Sequence, residues 1–466
     1  MAKSKLDEYR FKVITDPVHG DIGLSQLEVD LIDTQSFQRL RRLKQLGLAT
    51  LVYPSASHSR FSHSLGVFHI MSRAIDLMVR RGKFTEGERR LLRIAALLHD
   101  IGHYPYSHLV ETLDRDPYRK ALLGSKRRGK PARAYPDHEK LSAIIVVKRK
   151  DISHILNDAG IDPADIASII RGQHSQPRYN QLIHSTLDLD RMDYLVRDAM
   201  ATGVPFGRID LHYLLSNLDL DDDDNLVLHA KAETAVEHFI VARYFMSKAV
   251  YLHKTVFAFE TLMRQTLFML RENGKLWKSG TDIEKLVKHR TAFLGFHDGK
   301  IDSIVEEQAE AQPGPSALGR LCRALRDRKP PKLVGEVSSL TQKDGSRSEE
   351  LTRFVTRRRD QLKAAAKECN IPIQCWLWED PKDVAFEKFG PLMSMSEAAS
   401  VSPQASAELV HLVDKKGKKA PLMEKPSSIV HHLSRLKLQM ARLYVVEEDK
   451  GKIAKAERAV KAWLKP

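Results

Sequence analysis

Along residues 11–310, apolar residues recur mainly at three- and four-residue intervals, the period of helices with one buried face. From Leu24, LSQLEVDLIDTQSFQRLRRLKQLGLA places Leu27, Val29, Leu31, Ile32, Phe37, Leu40, Leu43 and Leu46 at that spacing, and Gly47 ends the run. A second helix is predicted from near Ser62 through Met71 to Met78. The stretch LLRIAALLHDIGHYPYSHLVE, Leu91 to Glu111, opens with Leu91, Leu92, Ile94, Ala95, Leu97 and Leu98, enough to bury most of one helix before Gly102 and Pro105 break it. Further helices are predicted from His138 (HEKLSAIIVV), over 187–203 (LDLDRMDYLVRDAMATG), and from Ala232 to about Glu272.

Period-two patterns are short in this part of the chain. Phe11 to Asp16 reads as a strand running into the turn Pro17-Val18-His19-Gly20. NLDLDDDDNLVLHA reads as a β-hairpin whose acidic run is an exposed turn. Beyond the polar, Pro/Gly-containing stretch EQAEAQPGPSAL near 307–318, LVGEV, IPIQCWLW and ARLYVV alternate as strands, and EELTRFVTRRRDQLKAAAKEC is helical. The fold expected is mainly α, a helical core at 1–310 with small β-hairpins and a smaller α+β region at 319–466. There is no internal repeat.

The formal net charge of +15 suits anionic ligands, nucleotides or nucleic acid, without choosing between them. Lys126, Arg127, Arg128 and Lys130 in GSKRRGKPARAYPDHE read as a solvated loop in preference to a nucleic-acid contact, so any such contact is expected to be weak. KKGKK at 415–419 reads as another exposed loop. Cys322, Cys369 and Cys375 have no metal-type spacing and fit a reducing compartment. MAKSKLDEYRFKV lacks the apolar core of a secretion signal, and no apolar run approaches the length of a bilayer span. The expectation is a soluble, cytoplasmic protein with no membrane partner.

The candidate chemistry is concentrated after Leu98. Three histidines and two carboxylates (His99, Asp100, His103, His108, Glu111) fall within about thirteen residues, and such groups are costly to bury without partners. On the 187–203 helix, Asp190, Tyr194 and Asp198 are spaced to share one face, with Arg191 beside them, while Leu189, Met192, Leu195 and Val196 cover the rest. His63, His99-Asp100 and Asp190, from three distant segments, form a nitrogen and oxygen donor set without thiolates. That set suits a divalent cation (Mg, Mn, Fe or Zn) with positions left for water and a phosphate oxygen.

The motifs KVITDPVHG, FQRLRRLKQLG, SHSRFSHSLGV, HDIGHYPYSH, DHE and LDLDRMDY, in this order, resemble those of HD-domain phosphohydrolases. More closely, the chain is similar to the deoxynucleoside triphosphate (dNTP) triphosphohydrolases of the sterile-alpha-motif/HD type and their bacterial relatives. The likeness spans roughly residues 11–310 and weakens beyond. No sterile-alpha-motif region is expected, since the chain starts almost directly at the HD region. The resemblance implies metal ligands at His63, His99, Asp100 and Asp190, and catalytic groups at His103, His108, Glu111 and His138. It implies phosphate contacts at Arg60, Arg191 and Arg243, and sugar 3′-hydroxyl contacts at Gln45, Tyr194 and Asp198. Leu46 and Tyr251 would crowd the 2′ position and exclude ribose. Relatives carry Asp or Glu at position 111 and often Lys at 191, where a guanidinium grips phosphate differently.

The implied reaction is cleavage of a dNTP at the α-phosphorus into deoxynucleoside and inorganic triphosphate. The resemblance also implies a homotetramer activated by a dNTP effector at Lys12, Val13, Asp33, Gln38 and Arg41. Gln38, Arg41 and Gln45 would share one face of a single helix joining effector to substrate. Two alternatives stand beside this reading. One is another HD phosphohydrolase acting on alarmones, cyclic dinucleotides or 5′-nucleotides, although the dinucleotide-cleaving relatives carry Lys where this chain has His103, and their GYP signature is missing. The other is a nucleic-acid-binding protein with a vestigial site.

Overall fold

Three helices carry the centre of the molecule, and two of them start at a side-chain cap. Thr85 and Glu88 form a reciprocal capping box that starts the helix Glu86–Leu98, whose Leu92 and Ile94 to Leu98 are fully buried. The helix Arg60–Arg80 packs along it, and Leu189–Thr202, capped by the Asp188 carboxylate and stopped by left-handed Gly203 (φ 75°), packs in turn against Arg60–Arg80. His138–Lys148, capped by Asp137, and Pro163–Ile170, capped by Asp162, close the core. The computed structural model describes residues 11–113, 119, 122, 133–185, 187–311, 316–342, 348–379, 382–385 and 410–465.

Most expected elements are present. Lys12–Asp16 pairs with Gly20–Leu24 as an antiparallel hairpin, and Leu218–Leu220 pairs with Leu226–His229 around the turn in which Asp221 accepts the amides of Asp223 and Asn225. The C-terminal region is α+β. Leu436–Val445 lies between Lys332–Gln342 on one side and Trp376–Trp378 and Lys382–Ala385 on the other, all antiparallel, with helices Glu349–Glu368 and Lys450–Leu464. In IPIQCWLW only Trp376–Trp378 is strand, and Ile373–Cys375 is a 3-10 turn. The region is joined to the first part by a strand, because His411–Val413 pairs in parallel with Leu226–His229. Lys415 to Lys418 of KKGKK form the exposed turn after that strand, and Lys419 starts the returning strand Lys419–Pro421. Lys126 to Lys130 and residues 312–315 lie outside the described residues. Among the described residues the three cysteines are free and buried, and no helix is long and apolar enough to cross a membrane.

One helical expectation is corrected. FQRLRRLKQLG is not one helix. Gln26–Ile32 ends at Asp33, Thr34 caps a new turn at Gln35–Gln38, Arg39–Arg42 is 3-10, and Leu43 is extended (φ −115°, ψ 113°). Gln45 therefore sits in a turn outside any helix, its amide donating to the His58 carbonyl at 3.0 Å. The cause is tertiary: the Lys44 amide is taken by the Asp298 carboxylate at 2.8 Å, and Lys44 bridges to Ser59. Leu40 and Leu43 are buried all the same, so the periodicity reported burial rather than helix. The expected helical region from Ala232 to Glu272 is present as two helices, Glu233–Met246 and Lys254–Glu272, separated by a π turn over Ser247–Tyr251 and restarted by the His253 side chain, which accepts from the Thr255 amide.

Candidate metal centre

The three central helices converge on His63, His99 and Asp190. Nε2 of His63 lies 2.8 Å from Oδ1 of Asp190, and Nε2 of His99 lies 3.8 Å from the same oxygen. Asp100 closes the figure, with Oδ1 at 3.5 Å from His99 Nε2 and Oδ2 at 3.8 Å from His63 Nε2. Ligand atoms held about 2.1 Å from a common ion stand roughly 3.0–3.4 Å apart in octahedral or tetrahedral geometry, so these separations bracket the edges of a coordination shell. The tautomers fit as well. His99 Nδ1 donates to the Ala96 carbonyl at 2.7 Å, and its buried Nε2 makes no hydrogen bond among the described residues. His63 Nδ1 donates to the Asp193 carboxylate at 2.7 Å, which aims Nε2 at the cluster, the arrangement by which a carboxylate orients a metal-binding imidazole. Burial works to raise the Asp190 carboxyl, yet the hydrogen bond from His63 and the neighbouring His99 imidazole hold it well below the usual range. Burial likewise opposes ionisation of Asp100, and His103, then Arg60 and His99, hold it low. His63, His99 and Asp190 are thus placed to hold a metal ion, with Asp100 beside them.

Next to this cluster stands a chain of titratable groups. His103 Nε2 donates to Asp100 Oδ1 at 3.0 Å, and its ring stacks on His138 with centroids 4.2 Å apart. Oε2 of Glu111 accepts from His108 Nδ1 at 2.9 Å and from His138 Nδ1 at 3.3 Å. Burial and then the Arg60 charge push His103 well down, so it is neutral near pH 7. Burial also acts to lower His138, but Glu111 raises it above its ordinary value. Two stacked imidazoles are thereby driven apart in proton affinity, the condition for dividing acid and base roles. The turn between these groups carries two non-glycine residues with positive φ, Tyr106 (51°) and Ser107 (50°). Asp298 accepts the Tyr106 amide at 2.8 Å, and Ser107 Oγ accepts from Arg60 Nη2 at 2.8 Å.

The centre opens into a cavity of about 550 Å³. Gln45, Leu46, Arg60, Arg191, Tyr194, Asp198 and Tyr251 line it together with His99, Asp100, His103, His108, His138 and Asp190. The spacing of Asp190, Tyr194 and Asp198 on one face thus brings all three to one wall. Oε1 of Gln45 is buried and makes no hydrogen bond among the described residues. Arg60 Nη1 donates to Asp100 at 2.5 Å, and Arg191 Nη1 donates to the Ser185 carbonyl at 2.5 Å. Both oxygens of Asp198 are in use, accepting from His58 Nε2 at 2.8 Å and from the Tyr251 hydroxyl at 2.7 Å. Arg243 is buried behind Tyr194, with which it hydrogen-bonds, and is not among the lining residues; burial and then Arg191 lower it to about 10. Lys12, Asp33 and Arg41 are exposed, Val13 is half exposed, and Gln38 is partly buried. Arg41 donates through Nε to Gln38 Oε1 at 2.7 Å and stacks on the Phe61 ring at 3.5 Å.

Sequence reasoning passed over the supports of this site. Arg39 is 2% exposed and donates to the carbonyls of Ile101, His103 and Phe296, which holds the backbone of the HDIGH segment. Asp193, His19, Arg197 and His58 were also missed. Asp193 had a visible signal, as a third carboxylate within LDLDRMDY, but nothing in the spacing says that it faces His63 rather than solvent.

The description "HD domain" matches residues 60–198, and "HD associated region" matches 209–288. The chain carries an HD domain. The segment that defines it includes His63, His99-Asp100 and Asp190. Among curated relatives, the uncharacterized protein YwfO of Bacillus subtilis is 35% identical over 264 residues, 56% of each chain. The deoxynucleoside triphosphate triphosphohydrolase SAMHD1 homolog of Dictyostelium discoideum is 31% identical over 348 residues, 71% of this chain and 62% of the relative. SAMHD1 of Bos taurus is 47% identical over 103 residues, 22% of this chain and 18% of the relative. The alignments to YwfO and to the Dictyostelium homolog thus cover between half and two thirds of those relatives' length. Among solved structures, a phosphohydrolase from Bacteroides thetaiotaomicron has a similar fold, with TM-score 0.66 and 24% identity, covering 93% of this chain and 99% of that one.

Proposed function

We propose that this HD-domain protein is a divalent-metal-dependent phosphohydrolase that cleaves a dNTP into deoxynucleoside and inorganic triphosphate. The observation that carries the reading is the opening of the His63–His99–Asp190 cluster into a cavity that also presents two guanidinium groups and the His108–Glu111–His138 chain. A divalent cation held by His63, His99, Asp100 and Asp190 would supply Lewis acidity towards a phosphate oxygen and a water of lowered pKa. Arg60 and Arg191 bind the triphosphate from the cavity wall, and Arg243 supports Tyr194 from behind. Glu111 fixes Nδ1 of His108 and of His138, leaving each Nε2 free to hold or release a proton at the reacting oxygens. Tyr251, anchored on Asp198, stands with Leu46 where a ribose 2′-hydroxyl would lack a partner, and an unpaired buried hydroxyl costs roughly 1–3 kcal/mol. Residues 1–310 form the catalytic unit in this reading, with 319–466 as an added α+β region, and the protein works in the cytoplasm.

The same reading extends to regulation. A dNTP effector engages Lys12, Val13, Asp33, Gln38 and Arg41 and assembles a homotetramer. Because Gln45 lies in a turn beyond the last helical residue, Arg42, the link from Arg41 to the substrate passes through the Arg39–Gln45 backbone and its Asp298 anchor.

The test is incubation of purified protein with each dNTP and ribonucleotide, plus Mg²⁺ or Mn²⁺, with products resolved by ion exchange. Inorganic triphosphate and deoxynucleoside from dNTPs, with ribonucleotides turned over far more slowly, is the expected outcome. Monophosphate with diphosphate, stepwise loss of single phosphates, or equal use of ribonucleotides refutes it.

A further inference from the structure

The N-terminal hairpin lies outside the matched HD domain, yet it is bonded into the metal centre. Asp193 is fully buried, and its two oxygens receive four donors from three separate elements. His63 Nδ1 (2.7 Å) and Arg197 Nε (2.8 Å) donate to Oδ2, while His19 Nε2 (2.6 Å) and Arg197 Nη2 (3.0 Å) donate to Oδ1. Asp16 completes the link. It accepts from Arg197 Nη1 at 2.8 Å and from the amides of Val18 and His19 at 2.9 and 3.0 Å, so one carboxylate shapes the hairpin turn and clamps the arginine. Gly66 admits the whole arrangement, since a Cβ there would meet Asp193 Oδ1 at 1.9 Å and Arg197 Nη2 at 2.4 Å.

We propose that the hairpin Lys12–Leu24 sets the metal affinity of the site through His19 and Asp193, which act as positioning residues for His63. A two-stranded hairpin is at best marginally stable alone in water, so this one is held by what it docks against. Its docking contacts include Ile22 and Leu24 in the core, the Gly23 carbonyl on Arg93, Asp16 on Arg197, and His19, which also stacks on His69, on Asp193. The last of these also fixes the oxygen pair that orients His63. Loss of the His19 bond leaves Asp193 held by the Arg197 fork and His63 alone, which loosens the carboxylate that orients His63. Outer carboxylates of this kind are worth about 10–100-fold in metal affinity. Coupling is reciprocal, so whatever factor the docked hairpin adds to metal affinity, bound metal adds to hairpin docking.

This inference rests on the metal reading of His63, His99 and Asp190 and is independent of the substrate. Mn²⁺ binding to the full chain is measured by calorimetry for the unaltered protein, Asp193→Asn, His19→Ala and His19→Gln, with circular dichroism checking that each is folded. The expected result is about 10–100-fold weaker binding for Asp193→Asn, about tenfold for His19→Ala, and recovery to within about threefold for His19→Gln, whose amide reaches the Nε2 position. Hydrogen exchange on the unaltered protein supplies a readout without mutation, because backbone amides of residues 12–24 should exchange more slowly once Mn²⁺ is added. Unchanged Mn²⁺ affinity in folded His19→Ala, or hairpin exchange indifferent to Mn²⁺, overturns the proposal. Failure of the unaltered protein to bind Mn²⁺ at all instead removes the metal reading itself, and this proposal with it.

Discussion

Proton and metal compete for one nitrogen of His63, and the competition has a size. Burial acts to lower this imidazole, but hydrogen bonds and charge from Asp190 and Asp193 raise it to about 10. The Nε2 proton shared with Asp190 at 2.8 Å occupies the position that a cation would take. At pH 7 the ion must displace that proton, which reduces apparent affinity by roughly a thousandfold, or about 4 kcal/mol at 1.36 kcal/mol per unit. Mn²⁺ affinity is therefore expected to rise about tenfold per pH unit from pH 6 to 8. His99 is also raised, burial being outweighed by Asp100 and Asp190, which steepens the rise. The sign for stability follows. A folded value above the unfolded one stabilises the metal-free protein fully below about pH 6.5, and this contribution is lost as pH climbs towards about 10. With metal bound the proton is gone, so the gain in Tm on adding Mn²⁺ grows with pH. Calorimetry at pH 6, 7 and 8, in two buffers of different ionisation enthalpy, reads both affinity and proton release. Affinity flat over that range, with no proton released, would refute the argument.

Three further outcomes are expected. Glu111→Gln removes the anchor of His108 and His138 but no metal ligand, so turnover should fall about 10²–10⁴-fold while Mn²⁺ affinity stays within a few-fold; equal loss of both would reassign Glu111 to the ligand set. Arg39→Met keeps bulk but leaves buried carbonyls of Ile101, His103 and Phe296 without their donor, and urea denaturation should report a loss of about 3 kcal/mol or more, at 1–3 kcal/mol per orphaned acceptor. Arg41→Ala should abolish stimulation of one dNTP's hydrolysis by another while Mn²⁺ binding is unchanged, read from initial rates with single and paired nucleotides.

What the sequence determined by itself is the set of faces that must be buried and the polar groups that cannot be buried alone. The apolar run from Leu91 to Leu98 ends on His99-Asp100, and Asp190, Tyr194 and Asp198 lie on one stripe of an otherwise apolar helix. Those local patterns were enough to name the cluster that three packed helices bring together, because ligand chemistry and helix period are both written at short range. The same period misled at FQRLRRLKQLG, where a carboxylate more than two hundred and fifty residues away captures the Lys44 amide and ends the helix before Gln45. Only the tertiary structure decided which of the remaining charges support the site. Asp193 and His19 are 174 residues apart, and Asp16 and Arg197 are 181 apart. Their pairing depends on how a hairpin docks against two helices, and no spacing along the chain encodes it. Burial then decides their energetics, since a carboxylate at 0% exposure must collect its donors from whatever elements the fold packs around it.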